Sequence, residues 1–208
     1  MPNWVYCNAT ISGSAEDMAH FFAAAKKGGD RFFAHTDHVT NWGAFTDIQL
    51  ELLVAEAFSF LQKESRVFSF HSLYPMPVAV QIMPYDPGVF SKTLESNPAI
   101  AAFCEKNNVT ECGYSWEYSN WGVKWGDCGT EVNHISDTHL CVYFETAWGV
   151  PHSFWEKVSL DYPTLTFEMT YEEEGRDFAG EVTYLAGVKH VVEFDTVDYD
   201  EDYSVDSE

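Results

Sequence analysis

Basic residues are scarce in this chain: 11 Lys and Arg stand against 33 Asp and Glu, for a formal charge of −22 over 208 residues. Such a surface repels nucleic acid and anionic membranes, and it attracts a positively charged partner over a Debye length of about 8 Å. Long apolar runs are also missing, with none approaching the roughly 18 residues of a membrane span. Met1-Pro2-Asn3-Trp4 has neither the basic start nor the apolar stretch of a secretory signal. A cytoplasmic protein is therefore expected. Cys7, Cys104, Cys112, Cys128 and Cys141 include no CxxC pair, a pattern that fits free thiols better than a disulfide framework. Neither a Walker-type phosphate loop nor GxGxxG nor a nucleophile elbow occurs. Cys112, Cys128, His134 and His139 lack the compact spacing of common zinc sites, and His35-Thr36-Asp37-His38 reads as a turn. No catalytic residue, cofactor or metal is assigned, and the chain is expected not to be an enzyme.

What is present is a normal share of hydrophobic residues, 46%, of which the aromatic residues make up a large part, enough for one core. Val5 to Ser12 reads as a strand. Ser14-Ala15-Glu16-Asp17 caps a helix carrying Met18, Phe21, Phe22 and Ala25 at helical spacing. Thr46-Asp47-Ile48-Gln49 opens a second helix through about Gln62, with Ile48, Leu52, Leu53, Ala55 and Phe58 as its buried stripe. Arg66 to Ser72 alternates as a strand would, and Leu73-Tyr74-Pro75-Met76-Pro77 is a rigid exit loop. A short helix starts at Asn97-Pro98, and an aromatic stretch runs from Tyr114 to Trp125. Then come a strand over Thr138 to Thr146, a helix from Pro151 to about Leu160, a strand from Thr164 to Tyr171, a turn at Glu172 to Gly175, and strands over Phe178 to Leu185 and Val188 to Phe194. Strand, helix and strand at each end, sharing one sheet, is the pattern of an α+β ferredoxin-like sandwich, an antiparallel sheet with helices on one face. We read residues 1–194 as one domain with 75–137 as an aromatic-rich insertion, followed by an acidic tail at 195–208.

Met1-Pro-Asn-Trp4, Leu73-Tyr-Pro-Met-Pro77, Asn120-Trp-Gly-Val-Lys-Trp125, Phe144-Glu-Thr-Ala-Trp148 and Tyr171-Glu-Glu-Glu-Gly175 with Phe178-Ala-Gly-Glu181 resemble, in this order, the Api-like family of bacteriophage and plasmid proteins. The resemblance implies a ferredoxin-like domain and an origin on a mobile genetic element acting inside a bacterial cell. It carries no established activity. The tail after Val192 departs from the family pattern.

The acidic residues are the candidate partner-binding set: Glu172, Glu173, Glu174, Asp177 and Glu181 on one hairpin, and Asp195, Asp198, Asp200, Glu201 and Asp202 in the tail, where Tyr199 and Tyr203 offer something to bury. A calcium loop is excluded there, because Tyr203 stands where the loop needs glycine. Trp116, Trp121 and Trp125 are a secondary candidate surface, with Lys124 the lone base between Lys106 and Lys157. The expected function is inhibition of a host nucleic-acid-handling or defence complex through its basic surface, in the manner of anti-restriction or anti-CRISPR proteins and with nucleic-acid mimicry as one form of it. An enzyme acting on a small nucleotide or modified base within the insertion, and a structural accessory of the mobile element, are the alternatives.

Overall fold

The computed structural model describes residues 2–26, 42–61 and 68–194. β1 (Trp4–Ser12) leads into α1 (Ala15–Ala25), where the Ser14 hydroxyl accepts the Asp17 amide at 3.2 Å and so satisfies one free donor of the first turn. After a turn of 3-10 helix at Trp42–Ala44, six helices follow: α2 (Asp47–Leu61), α3 (Phe70–Leu73), α4 (Val78–Gln81), α5 (Pro87–Ser96), α6 (Pro98–Lys106) and α7 (Gly113–Asn120). The chain then returns to the sheet as β2 (Lys124–Ile135) and β3 (His139–Ala147), crosses through α8 (His152–Asp161), and ends in β4 (Thr166–Glu173), β5 (Ala179–Leu185) and β6 (Val188–Phe194).

The six strands lie in the order β2-β3-β1-β4-β5-β6, and every neighbouring pair is antiparallel. β1 and β2 flank β3, while β3 and β4 flank β1. This double split crossover is the ferredoxin-like arrangement, here extended by the β5–β6 hairpin. The alternation of β1 sends Val5, Cys7, Ala9 and Ile11 to the covered face, where their partners are Thr146, Phe144, Val142 and Leu140 on one side and Glu173, Tyr171, Met169 and Phe167 on the other. Aromatic contacts seal the helices to that face. Phe21 of α1 meets Phe167 edge-on at 5.9 Å, Phe70 of α3 meets Phe144 at 5.3 Å, and Trp155 of α8 meets Phe167 at 5.5 Å. No disulfide joins any of the five cysteines, and burial pushes the Cys7 thiol up to about 12 and Cys104 up to about 11.

The structure corrects four expectations. Phe70 to Leu73 is a helical turn and not part of a strand: the Ser69 hydroxyl accepts the His71 amide at 3.1 Å, and the Phe70 amide goes to Asp127 Oδ1 at 2.7 Å. Phe68, Ser69, Phe70 and His71 are all buried, so the alternation of their side chains reports no exposed face. On α2 the capping box forms, with Thr46 N to Gln49 Oε1 at 2.9 Å, yet the buried residues are Leu50 and Ala57. Ile48, Leu52 and Phe58 are instead 70%, 64% and 52% exposed, and of these Phe58 lines a groove with Leu50, Val54, Val78, Ala79 and Phe103. β4 continues through Glu173, which moves the turn to residues 174–177. Residues 75–137 include β2, which is part of the sheet, so this end of the stretch is not insertion. The proposed strand at residues 66–67, the tail at 195–208 and His35, Asp37 and His38 lie outside the described residues.

A half-buried pair predicts how stability responds to pH. His152 Nδ1 lies 2.6 Å from Tyr184 Oη. Burial lowers the His152 pKa from its ordinary 6.5, with the Lys189 charge adding to the effect and Glu156 opposing it; burial likewise raises Tyr184. A neutral imidazole can therefore accept the phenol proton. Because the unfolded chain binds a proton at His152 first, the contribution of this residue is complete above the ordinary pKa of 6.5 and is lost as pH falls from there through the lowered folded value. Wild type should lose more of its urea midpoint between about pH 7 and pH 5 than His152→Gln does. Equal losses would remove His152 as the cause.

Candidate functional site

One face of the sheet is packed under helices, and the other carries three rows of side chains set by strand register. The first row is Cys128, Glu145, Tyr6, Glu172, Ala179 and Phe194; the second is Glu131, Tyr143, Asn8, Thr170, Glu181 and Val192; the third is His134, Cys141, Thr10, Glu168, Thr183 and His190. Five positions are glutamates and none is Lys or Arg. Glu131, Glu168, Glu172 and Glu181 are exposed and Glu145 is partly so. Glu168 and Glu172 sit diagonally across from Glu181 around Thr170, at separations of roughly 7–8 Å between backbones. Charges so close repel within a Debye length, and a cationic partner relieves that repulsion. Arg176 approaches Glu172 at 3.7 Å, in an exposed pair of small worth. Tyr143 donates to Glu145 at 2.9 Å; burial, then this bond and the charge of Glu145, keep its phenol protonated beyond the usual range.

The end row of this face is Lys124, Ala147 and Trp4. The Lys124 ammonium lies 4.4 Å from the ring centre of Trp125, 5.2 Å from Trp148, 5.6 Å from Tyr114 and 5.8 Å from Tyr85. Such contacts stabilise a cation by about 0.5–2 kcal/mol each according to exposure. Trp125 stands 6.2 Å from Trp4 and 5.4 Å from Trp148, whose side chain is nearly half exposed. Trp125 and Trp148 both take left-handed backbone angles, φ 69° and 62°, which cost a bulky residue on the order of 1–3 kcal/mol. The buried Glu117 holds this end in place: its Oε2 accepts the Tyr85 hydroxyl at 2.6 Å and the Trp125 amide at 2.9 Å.

The sequence-derived candidates divide accordingly. Glu172 and Glu181 belong to the open face. Glu173 does not: it is buried on the covered face, where its Oε2 accepts the amides of Gly175 at 2.7 Å and Asp177 at 3.2 Å and so shapes the turn. Glu174 accepts the Trp4 amide at 3.3 Å, and Asp177 is exposed in the same turn. Asp195, Asp198, Tyr199, Asp200, Glu201, Asp202 and Tyr203 lie outside the described residues. Of the tryptophans, Trp116 and Trp121 are core, 7% and 1% exposed, packed on each other at 5.3 Å, with the Trp121 indole donating to the Tyr74 carbonyl at 3.0 Å. That corrects their reading as surface; Trp125 remains partly exposed. Glu131, Glu145 and Glu168 were not among the candidates, although the strand alternation at Glu145 and Glu168 was available to find them. Cys112 is buried at the start of α7, away from Cys128 and His134 on the open face. Among the described residues no helix is long and apolar enough to cross a membrane.

Residues 127–208 match the family model described as the ferredoxin-like domain in Api92-like protein, a span that includes the stretch after Val192 and so corrects the expectation that this stretch departs from the family pattern. The chain is also similar to the crystal structure of a protein api92 from Yersinia pseudotuberculosis, at 9% identity over 94% of this chain and 99% of that one, with a TM-score of 0.48. No curated protein matches it.

Proposed function

We propose that this chain is a non-enzymatic interaction protein of a phage or plasmid that docks, in the bacterial cytoplasm, onto the basic surface of a host nucleic-acid-handling or defence protein and blocks it. The observation that carries the reading is the open sheet face, with Glu131, Glu145, Glu168, Glu172 and Glu181 on three rows that hold no Lys or Arg. Duplex DNA presents one charge per about 1.7 Å of its axis, whereas strands spaced at about 4.8 Å with alternate residues outward hold carboxylates farther apart. The face is therefore a charge complement to a basic channel and not a replica of the duplex. Its carboxylates accelerate the encounter, and the exposed ring of Trp148 beside them supplies contact area that salt does not weaken. Restriction and CRISPR nucleases offer basic channels of this kind. The same charge disfavours direct contact with nucleic acid or membrane.

The test is capture from bacterial lysate with the tagged protein at about 0.1 M and 0.5 M salt, beside Glu168→Gln/Glu172→Gln/Glu181→Gln. We expect a basic nucleic-acid-binding protein to be held at low salt and released at high salt, and the triple variant to associate roughly tenfold more slowly at low salt. Capture indifferent to both salt and substitution would reject the acidic face as the docking surface.

A further inference from the structure

The two edges of the sheet are built differently. β2 breaks register between Lys124 and Cys128, between Cys128 and Glu131, and between Val132 and His134, with left-handed backbone at Trp125, Gly126 and Gly129. Bulges of this kind spoil a strand as a template for another chain. β6 has no such interruption. It pairs with β5 in unbroken register from Val188 to Phe194, and all seven of its residues are exposed. Its composition, Val188-Lys189-His190-Val191-Val192-Glu193-Phe194, is that of a strand with apolar residues on both faces, and Leu185 beside it is exposed as well. An exposed edge of this length in unbroken register is a template for further pairing.

The turn before β6 determines which backbone groups point away from β5, and among the described residues no strand pairs with that side. Ala186 and Gly187 have φ of 49° and 79°, the pair of left-handed residues of a two-residue hairpin loop. In such a hairpin the flanking pair, Leu185 and Val188, is hydrogen bonded, and the alternation that follows turns the amides and carbonyls of Lys189, Val191 and Glu193 away from β5.

We infer that β6 is a self-association edge, pairing antiparallel with β6 of a second copy of this chain about a two-fold axis at Val191. In that register Val191 faces Val191, Val188 faces Phe194, His190 faces Val192, and Lys189 faces Glu193, the last pair occurring twice. The three outward residues of each copy then satisfy one another. Centring the axis on Lys189 or Glu193 instead would bring like charges together, and centring it on His190 or Val192, which the hydrogen bonding also permits, would set Lys189 or Glu193 opposite Val191 and lose both Lys189 to Glu193 pairs. Hydrogen bonding requires outward residues to face one another, and charge pairing then selects the Val191 axis. Lys189 also bonds Glu156 of α8 at 3.1 Å, on the helix-covered face, the face that strand alternation gives to Glu193 as well. The charge of −22 on each copy opposes the association at long range, so the dimer is favoured by salt, the reverse of what docking onto a basic partner shows.

Sedimentation of the full chain in about 0.5 M salt, where the long-range repulsion is screened, tests this. A concentration-dependent dimer is expected. Lys189→Glu and Glu193→Lys should each weaken it by roughly tenfold, since each sets two like-charge pairs across the axis. The double variant should recover it, which separates the strand contact from the lost Lys189 to Glu156 pair. Hydrogen exchange should show the amides of Lys189, Val191 and Glu193 slowing as concentration rises. A monomer at every concentration, a dimer indifferent to the single reversals, or no recovery in the double variant would each overturn the inference.

Discussion

Phe70→Ala should lower the free energy of unfolding by about 3–5 kcal/mol, the loss typical of removing a fully enclosed aromatic ring. The ring is completely buried, and it stacks on Phe154 of α8 with centres 3.7 Å apart and planes 11° from parallel. It also meets Phe144 of β3 at 5.3 Å, Trp155 at 6.2 Å and Trp121 at 6.3 Å. One side chain therefore joins α3, the crossover helix α8, strand β3 of the sheet and the residue that closes α7. Alanine would leave a cavity walled by rigid rings, which relax poorly into it. The bond from the Phe70 amide to Asp127 is made by the backbone and survives the substitution, so the change reports the ring alone. Against a total stability of roughly 5–15 kcal/mol this is a large fraction. In urea the midpoint should fall with little change in slope, and Phe70→Leu should recover more than half of the loss. A drop smaller than about 1 kcal/mol would show that the ring is not packed as described.

Glu117→Ala should cost about 2–5 kcal/mol and disorder the aromatic end of the open face. The carboxylate is buried, and its Oε2 is an acceptor for both the Tyr85 hydroxyl and the Trp125 amide. Removing it leaves two donors without that acceptor, each at a cost of about 1–3 kcal/mol. The consequence is local as well, because the Trp125 backbone stands at φ 69° and this bond helps to hold it there. Released, Trp125 would lose its place beside Trp4, Trp148 and Lys124. The observable is a shift in tryptophan emission at temperatures well below the melting transition. Glu117→Gln keeps a carbonyl oxygen with two lone pairs and should lose about 1 kcal/mol with emission unchanged. Equal effects of alanine and glutamine on both stability and emission would remove the acceptor role.

Much of the fold could be read locally. Ser14, Thr46 and Asn97 each stand at a helix start with side chains bonded to the first turn, because a cap needs only a short polar side chain within a few residues of free amides. β1, β3, β4, β5 and β6 were legible from alternation and turn residues, and the order of elements implied the ferredoxin-like sandwich. The failures were of another kind. The apolar stripe of α2 was visible, but Ile48, Leu52 and Phe58 are exposed while Leu50 and Ala57 are buried. Periodicity shows that a helix has an apolar face; it does not show which neighbour arrives to cover it. Phe68 to His71 alternated like a strand because burial on all sides erases the difference between faces. Trp116 and Trp121 were kept as a secondary candidate surface only because their exposure was unknown.

The candidate site shows the same division. From the sequence came the sign of the charge, the lack of bases to balance it and the concentration of carboxylates in the last third of the chain, since counts of charge do not depend on where the chain goes. The fold decided which of them act together. Register places Glu131, Glu145, Glu168, Glu172 and Glu181 on one open face, draws Glu173 into the core one residue from Glu172, and brings Trp4, Lys124, Trp125 and Trp148 to one end. A strand reverses face at every residue, and antiparallel pairing joins segments more than a hundred residues apart, so neighbours on the open face are set by the sheet and not by proximity in the chain.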